Sequence, residues 1–164
     1  MGTREPAASN HFSFGRLLRA WTPVVLVMSS IVLFSSIEGG GRVWPVIFAH
    51  QDKALHFVVY AIFGSLLMRA LWLSDERLAR PATLVVMLCF VSGFGSFDEF
   101  YQGGVPYRMP DVWDWFVDCV GGGVGGSLML SLLWFRRVAR DRQGGPDREL
   151  EPSMMSDSSG PAPL

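Results

Sequence analysis

The stretch WTPVVLVMSSIVLFSSI, residues 21–37, runs without a single charged side chain. With Ala20 it reaches the length a membrane-spanning helix needs, about 17–25 mostly apolar residues. Pro23 falls in the first turn of a helix beginning at Ala20, where its missing N–H costs little and its fixed φ suits the helix. Arg16 and Arg19 precede the run, and EGGGRVWP follows it instead of a small-x-small cleavage site. It therefore reads as an uncleaved anchor rather than a secretory signal.

Three further runs of the same kind lie downstream: Ala54–Leu73, Pro81–Phe97 and Val112–Phe135. Composition agrees, with 49% hydrophobic and only 18% charged residues, whereas soluble domains carry about 25% charged. A net charge of −1 excludes the basic excess of an electrostatic nucleic-acid binder. Cys89 and Cys119 sit inside apolar runs with no CxxC spacing, so they read as core thiols, neither a disulfide framework nor a zinc set. The fold class expected is all-α: a bundle of four antiparallel transmembrane helices with disordered termini. Residues 1–19 form an N-terminal tail, 20–135 the membrane domain, and 136–164 a tail too polar to order itself.

Orientation follows from the basic residues, which are retained on the cytoplasmic side. Of the fourteen, eleven flank the first span's start, the loop between spans two and three, and the end of span four. Only Arg42, Lys53 and Arg108 remain for the opposite side. Both termini are therefore expected in the cytoplasm, and loops one and three outside, in a multi-pass protein of the cell membrane.

The polar residues that sit uneasily in apolar spans then gather at the outer face. In the stretch from the end of span three into span four, Asp98, Glu99, Asp111, Asp114 and Asp118 stand against a single arginine, Arg108. Ionisable groups at the centre of a membrane helix are penalised by about 2.5–3.5 kcal/mol on insertion scales, which makes them candidates for function. Asp111, Asp114 and Asp118, at i, i+3 and i+7, share one helical face, continued by Gly122, Gly125 and Met129. Like charges so placed require cationic neighbours, a bound cation or shared protons. Asp52, His56 and Tyr60, spaced by four, bring a carboxylate, an imidazole and a phenol to one face of span two, beside Lys53, the only lysine. The pairs Gly121/Gly125 and Gly122/Gly126 allow another helix to approach closely in lipid, and span two is the expected partner. Trp44, Trp72, Trp113, Trp115 and Trp134 read as interfacial belt residues.

Three ordered motifs resemble those of the VanZ-like family of small membrane proteins, named for a glycopeptide-resistance protein that lowers sensitivity to teicoplanin. They are Asp52-Lys53-Ala54-Leu55-His56-Phe57-Val58-Val59-Tyr60, then Asp98-Glu99-Phe100-Tyr101-Gln102, then Arg108, Asp111, Asp114 and Gly121 in register. Where the family usually carries asparagine, this chain has Asp118, an acceptor only unless protonated. The resemblance spans about Ala20–Phe135 and implies a phenotype rather than a reaction: glycopeptide resistance or bacterial cell-envelope metabolism.

Two main functions follow as expectations. In the first, an envelope enzyme acts on a lipid-linked precursor, with His56, Glu99, Asp111 and Asp114 as catalytic candidates and Lys53, Gln102 and Arg108 as substrate-binding candidates. Asp52, Tyr60, Asp98 and Asp118 complete the polar network, and a hard divalent cation, Mg²⁺ or Ca²⁺, suits its oxygens. In the second, a non-enzymatic membrane protein binds an envelope component or glycopeptide, or assists assembly. Ion-coupled transport ranks third, since the charges hug one side and no inverted repeat is evident. No nucleic acid is expected as a partner; the lipid bilayer is.

Overall fold

The computed structural model describes residues 14–37, 50–74 and 80–143. They form four helices, α1 (Phe14–Ser35), α2 (Gln51–Ser74), α3 (Arg80–Gln102) and α4 (Val112–Gln143), with no strand among the described residues. All four are long and apolar enough to cross a membrane. The protein is a multi-pass, four-helix membrane bundle. Trp44, with the rest of loop one, and most of both tails lie outside the described residues.

Two helices overrun the spans read from hydropathy. The start of α1 at Phe14 places Pro23 inside the helix, not in its first turn. Proline there withholds the N–H that the Arg19 carbonyl would accept, a defect that membrane helices tolerate when nearby groups re-satisfy the backbone. Next to it, the Thr22 hydroxyl donates to the Leu18 carbonyl at 2.7 Å. The fourth helix continues to Gln143, into the stretch read as a disordered tail from Arg136 onward. Arginines in a last turn complement the negative end of the helix dipole, and here Arg140 and Arg142 stand in it. The described residues from Ser131 to Gln143 belong to a unit separate from the rest, in which Arg140 Nε donates to the Arg136 carbonyl at 3.3 Å.

Within the unit that ends at Leu130, each helix buries a narrow stripe. On α1 it is Ala20, Val24, Ile31 and Ser35, the 3–4 spacing of a helix that meets its neighbours along one seam. On α3 it is Thr83, Met87, Val91, Gly95, Asp98 and Gln102, so one continuous face changes from apolar to polar at its end. Tyr60, Phe63, Leu67 and Met68 of α2 fill the centre, and the Phe63 ring lies 5.3 Å from that of Phe94. Trp21 donates its indole N–H to Ser74 Oγ at 2.9 Å, joining the start of α1 to the end of α2. Cys89 is exposed on α3 and Cys119 half-buried, which corrects the core reading of both. Apolar surface has no reason to hide from lipid, so an apolar run does not by itself mean an inward position.

The tightest packing belongs to α4, and its two glycine pairs serve different neighbours. A Cβ on Gly121 would stand 2.5 Å from the Phe57 carbonyl oxygen, and one on Gly125 would overlap that of Ala61, so this pair seats α2. A Cβ on Gly122 would meet Val91 Cγ1 at 2.5 Å, and one on Gly126 would overlap the Met87 methyl, so that pair seats α3. Gly64 of α2 completes the contact against the Gly122 backbone. Lipid tails are as apolar as leucine, so helices associate here through van der Waals contact and hydrogen bonds, and small residues make that contact close.

The packing predicts an asymmetry along one helix. Gly125→Ala forces backbone apart and should destabilise the protein by about 1–3 kcal/mol or more. Gly123→Ala, whose Cβ would meet only Leu88 Cδ2 at 3.4 Å, should be neutral or gain up to about 1 kcal/mol of helix propensity. Thermal unfolding in detergent, followed by tryptophan fluorescence, separates the two.

Candidate functional site

The polar residues meet where the start of α2, the end of α3 and the start of α4 come together, with the end of α1 alongside. Two local features build this corner. A tight connection after α3, with Gly103 N–H donating to the Glu99 carbonyl at 3.1 Å and Val105 N–H to that of Gln102 at 3.0 Å, turns the chain back at once. Tyr107 within it adopts φ 63°, a left-handed conformation that disfavours a bulky residue by about 1–2 kcal/mol. Asp111 then caps α4, its Oδ1 accepting the Trp113 amide at 2.9 Å, as helix N-caps do.

The Asp111–Asp114–Asp118 stripe divides into two tiers. In the outer tier, Lys53 Nζ donates to Asp111 Oδ2 and to Asp114 Oδ1, both at 2.7 Å. The ammonium answers two of the three like charges and fixes the start of α2 to the start of α4. Together with the Trp113 amide, it holds the Asp111 carboxyl below its ordinary value of 3.8. Arg108 donates to the Phe34 carbonyl at 3.4 Å, a cation at the carbonyl end of α1.

In the inner tier, one helical turn deeper, Asp118 is fully buried and its Oδ1 lies 3.0 Å from His56 Nδ1. Glu99, 7% exposed, uses Oε2 to accept the Asp111 backbone N–H at 2.8 Å. Asp98, 1% exposed, accepts from Gln102 Nε2 at 3.0 Å, and Gln102 also donates to Ser35 Oγ at 3.2 Å. His56 stacks against Tyr60 with ring centroids 6.5 Å apart. One ligand atom from each of His56, Glu99 and Asp118 lies within 4.8 Å of the others. Four buried side-chain oxygens lack a hydrogen-bond partner among the described residues: Tyr60 Oη, Asp98 Oδ1, Glu99 Oε1 and Asp118 Oδ2. Buried polar groups are nearly always paired, so four orphans among the residues of one corner mark a place built to meet something.

The candidates named from sequence thus fall into groups. His56, Glu99, Asp118, Asp98 and Tyr60 are inner; Lys53, Asp111 and Asp114 form the outer lock. Gln102 points inward, with both donor contacts inside the protein, and positions Asp98 against the end of α1. Asp52 is exposed and stands apart, at a membrane-boundary position on α2. Ser35 was not singled out from sequence. It ends an otherwise apolar stripe on α1, and a lone hydroxyl at such a position is the signal that was available. Trp115, read as a belt residue, donates its indole N–H to the Ser92 carbonyl of α3 at 3.2 Å.

The chemistry of the corner is acidic. Among the described residues its permanent cations are engaged, Lys53 by two carboxylates and Arg108 by a backbone carbonyl. What remains accessible to a ligand is a set of acceptor oxygens with one imidazole.

The depressed Asp111 carboxyl carries a pH dependence. With the folded value below the unfolded one, its contribution is complete above about pH 3.8 and is lost as pH falls through the folded value. Unfolding midpoints measured in detergent from pH 6 to pH 2 should drop more steeply for the wild type than for Asp111→Asn, whose acid limb should be flatter.

Comparison with known proteins places this architecture. The family model described as VanZ/LLP1 matches residues 9–135. No curated protein matches the chain, and no solved structure does.

Proposed function

The chain belongs to the VanZ/LLP1 family, and from that premise we propose that it works in a bacterial cell envelope, with its polar corner on the outer side of the membrane. There it binds an envelope component, a lipid-linked precursor or a glycopeptide of the teicoplanin kind. The distribution of charge along the sequence supports the orientation: eleven of fourteen basic residues flank the opposite ends of the spans, and membrane proteins retain such residues in the cytoplasm.

The observation that carries the reading is the imbalance of the corner. Five carboxylates converge, while Lys53 is held by Asp111 and Asp114 and Arg108 by the Phe34 carbonyl. A ligand that donates hydrogen bonds, through amines or sugar hydroxyls, complements such a surface; a bare phosphate does not. The envelope-enzyme reading places His56 and Glu99 as its acid/base pair, with Asp114 and Asp111 steadying them through Lys53. A second reading, a non-enzymatic scaffold, has the outer lock in its favour, because Lys53, Asp111, Asp114 and Arg108 all make contacts that hold helices.

Expression of wild type and Glu99→Gln at matched membrane levels in a susceptible host decides between them. A protection against teicoplanin or other envelope stress that wild type confers and Glu99→Gln loses, several-fold in inhibitory concentration, is the expected result. Equal protection by both moves function to the scaffold reading. Orientation is checked separately: after Cys89→Ala and Cys119→Ala, a Gly104→Cys variant in intact cells should react with a membrane-impermeant maleimide. Labelling only after the cells are opened would put the corner in the cytoplasm and overturn the proposal. Gly104 tolerates the change, since an added Cβ would meet only the Tyr101 carbonyl, at 3.4 Å.

A further inference from the structure

We propose that His56, Glu99 and Asp118 form a binding site for a divalent transition-metal ion, Zn²⁺ by preference. The proposal takes from the functional reading only that this corner is the working site. Three elements each contribute one residue, α2 the imidazole, α3 and α4 a carboxylate apiece, with their ligand atoms within 4.8 Å of one another. Two carboxylates buried this deeply at such separation repel, and the nearest ammonium is committed elsewhere: Lys53 bonds Asp111 and Asp114. His56 reaches Asp118 through one ring nitrogen and leaves Glu99 Oε1 and Asp118 Oδ2 without partners. A doubly charged ion among these three groups meets the orphan oxygens and balances both charges.

Independent support comes from Tyr60, which is outside the triad. Its hydroxyl is buried and unpartnered, and its ring is stacked along that of His56 one helical turn away. A buried phenol without a hydrogen-bond partner among the described residues, its ring stacked on that of one candidate ligand, is available to bond to whatever completes the ion's coordination. Gln102, in turn, holds Asp98 from the neighbouring position on α3, which supports the helical turn that carries Glu99.

The donor set chooses the metal. Mg²⁺ demands octahedral oxygen ligation and keeps several waters, and Ca²⁺ takes six to eight oxygens; neither suits a buried triad that includes an imidazole. One histidine and two carboxylates with a fourth position open is a set that Zn²⁺ accepts, and N/O sites bind it ahead of manganese and iron. On its oxygens alone the sequence points to Mg²⁺ or Ca²⁺; for this triad, with its ring nitrogen, zinc is the ion proposed instead.

The test uses the full chain purified in detergent, stripped with a chelator and titrated with Zn²⁺ against a chromophoric indicator. Expected are one zinc per chain, no displacement by equimolar Mg²⁺ or Ca²⁺, and affinity losses in Glu99→Gln and in Asp118→Asn that exceed the roughly 10–100-fold cost of removing a ligand's outer-shell partner. Asp141→Asn, which changes an exposed acid outside the corner, should bind as wild type does. Substoichiometric zinc, or equal binding by wild type and both corner variants, overturns the proposal. Should either variant fail to purify as a folded protein, zinc-edge X-ray absorption on the wild type decides. One imidazole, recognised by its outer-ring scattering, with otherwise light N/O ligands supports the site; a sulfur ligand or two imidazoles refutes it. Because the readout is metal and not resistance, failure here leaves the envelope reading standing, and failure of that reading leaves the metal site standing.

Discussion

Everything in this protein rests on how closely the backbone of α4 approaches its neighbours. Between Gly121 and Gly126 the helix presents no side chain toward α2 or α3, and carbonyl oxygens of α2 come to where Cβ atoms would otherwise be. In lipid there is no hydrophobic force to compensate a looser fit. That contact fixes the height of α2 against α4, and the height decides which polar groups meet. With Phe57 against Gly121 and Ala61 against Gly125, Lys53 falls level with Asp111 and Asp114, and His56 level with Asp118. A shift of one helical turn, about 5.4 Å, would offer the lysine to the inner carboxylate and leave the imidazole among apolar side chains.

The result is a division of labour along a single stripe. The outer aspartates are satisfied by an ammonium and act as a clasp. The inner carboxylates are enclosed, incompletely paired and next to an imidazole and a phenol. Removing one partner from a buried charge is far more damaging than replacing the pair with apolar groups, so such an arrangement is weak evidence for stability and better evidence for use. Asp118 sharpens the point. At a position where the resembling family usually has asparagine, this chain adds an acid to an already acidic corner, and the fold keeps it fully buried.

Sequence patterns disclosed the four spans, the carboxylate face and α2 as the helix packed on one of the two glycine pairs, but not that the other pair seats α3. They did so because helical periodicity and small-residue spacing are local properties. The two tiers were not legible, since they depend on the axial offset between helices sixty residues apart in the chain, to which no local pattern refers. Gln102 shows the same limit: its amide donates to Ser35, a partner that only the packing of α1 against α3 supplies. Pro23 and the arginines beyond Phe135 show another. Hydropathy reports where apolar side chains stop, whereas backbone hydrogen bonding carries a helix into water wherever capping and charge permit. Cys89 misled for the reason that separates membrane proteins from soluble ones, because apolar residues there face outward as readily as inward.

The separation in sequence between the two halves of the polar corner also bears on how the protein is made. Lys53 and His56 find their acidic partners 58 to 62 residues later in the chain. At roughly 5–20 residues per second, α2 waits about 3–12 s before those partners have been synthesised. During that interval a lysine and a histidine stand on a newly inserted helix with no carboxylate to answer them. The fourth helix therefore neutralises the second, and an insertion machinery or chaperone that shelters polar faces of nascent helices has its natural client in the chain before α4 is made, not in the assembled bundle.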